Sequence, residues 1–181
     1  MKQTKKLTIS AMVVALGTAS MLLGAVIELF DLTAVAIASV LIAFVYLEIG
    51  SPYTWLVWLC TTLCTFLFYQ HSPMWFIYLI LFGIYPILKG YIERLPRAFW
   101  WPIKIVFGNL AFLLMFFGVS LITGLPFIDT EESFFGITGK TIYIVAIILV
   151  NAAMVAYDFF LNVMVRFYME RVRPKIRNLL K

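Results

Sequence analysis

Seven polar side chains stand inside otherwise apolar stretches of this chain: Glu48, Tyr85, Lys89, Glu93, Asn109, Asp158 and Asn162. An ionisable group within a membrane span is costly, so such groups pair with one another or line the path of a ligand or ion. Tyr85, Lys89 and Glu93 recur at four-residue spacing and share one helix face; Asp158 and Asn162 share another. At a helical rise of about 1.5 Å per residue, Lys89 lies about 22 Å below Met74 and Asp158 about 27 Å below Lys140. Asn109 lies about 8 Å inward from Lys104, and Glu48 closes its own apolar run. These depths place Glu48, Lys89, Glu93, Asn109, Asp158 and Asn162 in the cytoplasmic third of the membrane, with Tyr85 on the face of Lys89, as a polar cluster where the second, fourth, fifth and sixth spans converge. A Lys89–Asp158 pair would remove two isolated charges from lipid. Such a cluster either holds helix ends together or serves binding, coupling or gating, and the residues alone leave both open.

The elements that must carry these residues are apolar helices. The 181 residues are 64% hydrophobic and only 13% charged, where a soluble domain carries about a quarter charged residues. Six apolar runs, roughly 7–27, 33–50, 52–70, 74–92, 103–124 and 140–165, each approach the ~20 residues needed to cross the hydrocarbon. They use up most of residues 1–181, which predicts a single all-α domain: a compact bundle of six transmembrane helices with a short basic tail. The runs are continuous rather than alternating, which excludes a barrel. The basic N-terminus followed by an apolar run resembles a signal peptide, but the run extends to Ile27 and reads as a retained first span.

Charge sets the expected orientation. With the N-terminus inside, only Lys140 among the 14 Lys and Arg residues falls outside. Lys and Arg resist translocation, so both termini are expected in the cytoplasm. The net charge of +5 is thereby explained by anchoring to the bilayer, and no nucleic-acid partner is expected.

Three further features bear on function. Ala11, Ala15 and Ala19 form a smooth stripe on the first span, suited either to internal packing or to docking another membrane subunit. Glu28, Asp31 and His71, with Gln70, Asp129, Glu131 and Glu132, could ring an outer pocket mouth, and Asn151 is a mid-depth candidate for ligand contact from that side. Pro86 should kink the fourth span. The segment 94–104, with Trp100, Trp101 and Pro102, reads as an interfacial connection along the inner surface. No G-x-S-x-G, H-E-x-x-H or phosphate-binding loop occurs, and Cys60 and Cys64 lack accompanying metal ligands. The expectation is a non-enzyme without cofactor or metal.

The run Lys5-Lys6-Leu7-Thr8-Ile9-Ser10-Ala11-Met12-Val13-Val14-Ala15-Leu16-Gly17-Thr18-Ala19 resembles the first helix of the substrate-capture (S) components of energy-coupling-factor transporters. In that family an Ala-x-x-x-Ala stripe docks on a transmembrane coupling subunit, and Ala11, Ala15 and Ala19 match it. Tyr85-Pro86-Ile87-Leu88-Lys89 with Glu93, and Tyr157-Asp158 followed by Arg171-Val172-Arg173-Pro174, resemble bacterial membrane proteins of S-component-like character. The resemblance implies a bacterial plasma-membrane protein that captures a small nutrient near the outer face. Its partners would be a coupling subunit and two ATPase subunits. Other readings are an envelope scaffold that uses segment 94–104 and the basic tail, or an ion-coupled transporter that uses Glu48, Lys89, Glu93 and Asp158.

Overall fold

The computed structural model describes residues 3–70, 72–124 and 139–175. Among them every regular element is helical, and six helices are long and apolar enough to cross a membrane, the pattern of a multi-pass membrane protein. Helix α1 (Gln3–Val26) passes through a tight 3-10 turn at Glu28–Phe30 into α2 (Asp31–Glu48). Gly50, at φ 100° and ψ 171°, reverses the chain into α3 (Ser51–Phe68), with Pro52 in the first turn, where a missing N–H loses no helical bond. The fourth span is broken into α4 (Met74–Ile77), a π turn (Tyr78–Phe82) and α5 (Tyr85–Ile92). Helices α6 (Trp100–Thr123) and α7 (Gly139–Phe167) follow, the latter running into a π turn at Tyr168–Val172.

Small residues let the first three helices approach closely. Gly17 lies against Thr61, and Gly24 lies against Ala34, with no room for a side chain at Gly24. The buried threonines of α3 satisfy themselves: Thr54, Thr62 and Thr65 donate to the Gly50, Trp58 and Thr61 carbonyls at 3.0, 2.9 and 2.8 Å. A polar hydroxyl can then be buried without an interhelical partner. The resulting core gathers Val13, Met21, Val35, Ile42, Val57 and Ile87, and a second one centres on Tyr85, Met154, Tyr157 and Leu161.

The break in the fourth span has two causes. Gly83 N–H reaches back to the Tyr78 carbonyl at 2.8 Å, forming the π turn. The Leu79 carbonyl, which an α-helix would pair with Gly83, instead accepts from Trp58 Nε1 at 3.3 Å. The Trp58 ring occupies the space a side chain at Gly83 would need. Pro86 has no N–H for the Phe82 carbonyl four residues back, and that oxygen lies 3.1 Å from the Tyr157 hydroxyl. The kink expected at Pro86 is therefore a longer interruption, Tyr78 to Ile84, with the Leu79 and Phe82 carbonyls met by side chains of α3 and α7.

Segment 94–104 departs from expectation. It is not an independent surface connection. A 3-10 turn at Arg97–Phe99 leads directly into α6, and Lys104 is buried one turn inside it. Pro102 falls in the first turn of α6, where proline is tolerated, so it does not delay the helix.

Candidate functional site

Helix α5 presents Tyr85, Lys89 and Glu93 on one face, and α6 and α7 bring Lys104 and Asp158 against it. Lys89, Lys104 and Asp158 are each only 6% exposed. One carboxylate oxygen, Asp158 Oδ1, accepts from three donors: Tyr85 Oη at 2.7 Å, Lys104 Nζ at 2.8 Å, and Lys89 Nζ. Lys89 also donates to the Asp158 backbone carbonyl at 3.2 Å and pairs with Glu93 Oε1 at 3.3 Å. Lys104 approaches Glu93 at 3.9 Å and lies 5.9 and 5.7 Å from the Trp100 and Trp101 ring centres, within cation–π range. Two cations and two carboxylates thus sum to zero, with Lys89, Lys104 and Asp158 buried and Glu93 half-exposed at the edge. This is the condition under which buried charges are tolerated.

Not all seven predicted residues join this cluster. Asn162 sits at its edge, with Nδ2 3.4 Å from Asp158 Oδ2. Glu48 lies apart: it pairs with Arg173 Nε at 2.8 Å, tying the end of α2 to the end of the α7 region. Asn109 also lies apart. It exchanges reciprocal amide hydrogen bonds of 3.3 and 3.2 Å with Asn151, joining α6 to α7. Asn151 further donates to its own helix at Ile147 O, 2.8 Å away. Its amide is thereby occupied by neighbours rather than held ready for a ligand from the outer side. The expectation of one cluster joined by all seven residues gives way to three separate groupings: Glu48–Arg173, Asn109–Asn151 and the Asp158 centre.

Lys104 was missing from the predicted cluster. Flanked by Trp100, Trp101 and Pro102, it looked like an interfacial anchor. The signal that could have found it is its position four residues into a helix that begins at Trp100, close to the inferred depth of Lys89.

Among the outer candidates, Asp31 is half-buried in the first turn of α2. Glu28 falls in the 3-10 turn, but its side chain lies outside the described residues, as do His71, Asp129, Glu131 and Glu132. Among the described residues no three His, Cys, Asp or Glu side chains converge as a metal site.

The alanine stripe does not pack internally. Ala11, Ala15 and Ala19 are exposed, while Val13, Gly17 and Met21 form the buried face of α1. The three alanines line an apolar groove of about 690 Å³ between α1 and α3, together with Leu56, Cys60 and Cys64. Ser10 and Thr18, 7% and 8% exposed, also line it, and their hydroxyl oxygens are buried without a hydrogen-bond partner. Buried hydroxyls are normally satisfied, so these two are exceptions on the packed side of the groove.

No protein-family model, curated protein or solved structure matches this chain.

Proposed function

We propose that this protein is the membrane-embedded substrate-binding subunit of an energy-coupling-factor type transporter. It captures a small nutrient from the outer side of a bacterial plasma membrane, with both termini in the cytoplasm. Helix α1 docks on a coupling subunit that works with two ATPase subunits. The observation that carries this reading is the α1–α3 groove: the three alanines resembling the family's docking stripe are exposed and form its wall, beside two unpartnered hydroxyls. A smooth wall of small side chains admits a helix backbone at close range.

The test is purification of tagged protein from its native membrane, wild type beside Ala15→Trp. Wild type should bring a coupling subunit and paired ATPases. Ala15 is exposed, so the variant should keep its thermal stability while losing those partners. Retention of the partners by Ala15→Trp, or their absence from the wild-type preparation, overturns the docking reading.

A further inference from the structure

Two cavities lie along the seam between α6 and α7. The first, about 370 Å³, is lined at one end by Tyr85, Lys104 and Asp158, with Asn151 about two turns of α7 away, and by apolar walls that include Ile105 and Val155. The second, about 230 Å³, is apolar, with Phe82, Phe112 and Val150 in its walls. Met154 lines both and is the partition between them. It packs on Gly108, where an added Cβ would stand 3.0 Å from Met154 Cγ. An unbranched thioether on a glycine is a movable partition, because methionine adapts its three torsions to the space around it. Each cavity alone is at or below the small end for a ligand site; joined, they reach the usual range of about 300–1,000 Å³.

The polar end defines what could enter. Lys104 and Asp158 are already paired at 2.8 Å, and with the half-exposed Glu93 the cluster around them carries no net charge. A charged head would bring an uncompensated ion into this volume. Hydrogen-bonding capacity nevertheless remains. The Lys104 ammonium has three N–H donors and gives Asp158 one short bond. Among the described residues, Asp158 Oδ2 is met by the Asn162 amide at 3.4 Å. Lys104 and Asp158 thus bring a donor and an acceptor to the wall of a mostly apolar space.

We propose that the α6–α7 seam binds an amphiphile with an uncharged, hydrogen-bonding head and an apolar tail. The head, a hydroxyl or amide, sits between Lys104 and Asp158, and the tail passes Met154 into the second cavity. This site is independent of the α1 groove and requires no coupling subunit. The same chemistry could arrive as a free long-chain alcohol or as a neutral bilayer lipid.

The test uses the full chain in phosphatidylcholine nanodiscs with radiolabelled probes, empty nanodiscs serving as reference. Saturable binding of 1-decanol, or of dioleoylglycerol, is expected; the first outcome assigns a free amphiphile and the second a bilayer lipid. Decanoate and decylamine should bind about tenfold more weakly or worse. Ala152→Phe and Val155→Phe, both at exposed positions lining the first cavity, should weaken binding to a similar degree while the chain keeps its melting temperature. The proposal is overturned if neither neutral probe exceeds empty nanodiscs, if a charged probe binds equally well, or if both folded variants bind like wild type.

Discussion

The Tyr157 hydroxyl lies 3.1 Å from the Phe82 carbonyl oxygen, the acceptor that Pro86 leaves without an amide donor, and 2.6 Å from Ser39 Oγ. A residue on α7 therefore repairs a backbone defect in the fourth span while touching α2. The ring is part of the repair, since Tyr157 stacks edge-on against Phe82 at 4.8 Å.

Tyr157→Phe keeps the ring contact and deletes only the hydroxyl. The buried Phe82 carbonyl then loses its interhelical neighbour, at a cost of about 1 kcal/mol. A lowered melting temperature in detergent is expected; an unchanged one would show that the carbonyl is satisfied otherwise.

The Asp158 centre predicts an ordering of variants rather than a single loss. Asp158→Leu leaves two buried lysines facing one half-exposed Glu93 and should cost about 3–5 kcal/mol. Adding Lys104→Leu leaves the Lys89–Glu93 pair, charge-balanced, and should recover about 1–4 kcal/mol. Chemical denaturation of the single and double variants checks this. A double variant no more stable than Asp158→Leu would contradict the charge balance.

Ser10→Ala with Thr18→Val removes two buried hydroxyls that have no partner among the described residues. The isolated protein should therefore gain stability, by about 1 kcal/mol or more per site. A stability loss in the isolated chain would mean that these hydroxyls are already satisfied.

Gly50 has open space around its α-carbon, so Gly50→Ala meets no clash. Its φ of 100° and ψ of 171° nevertheless belong to a region essentially reserved for glycine. The substitution should cost about 1–3 kcal/mol through backbone strain alone. Equal melting temperatures for Gly50→Ala and wild type would mean that the α2–α3 reversal relaxes freely.

Depth was legible in the sequence and azimuth was not. Counting residues from span ends placed Lys89 and Asp158 at matching levels, and the structure brings them into contact. The same counting placed Glu48 there too, yet it faces Arg173, because an apolar run buried on several sides carries no periodicity to show which way a residue points. The six helices could be read from hydropathy alone, since water exclusion demands them. The π turn at Tyr78–Phe82 could not, because it depends on Trp58 arriving from another helix to take the Leu79 carbonyl. Lys104 was misassigned for a related reason: a lysine beside tryptophans reads as an interfacial anchor unless the neighbouring acid is known.

Asp158 is carried by the last of the six spans, whereas Lys89 and Lys104 belong to the fourth and fifth. A ribosome feeding this chain into a membrane delivers both cations before the acid that compensates them. Until α7 enters, Glu93 can balance only one of the two lysines, and the other must reach toward headgroups or water, since it cannot rest unpaired in hydrocarbon. The final helix thus completes the electrostatics of its predecessors. A chain arrested before residue 158 would carry exposed, mispaired charge, a clear mark for membrane quality control.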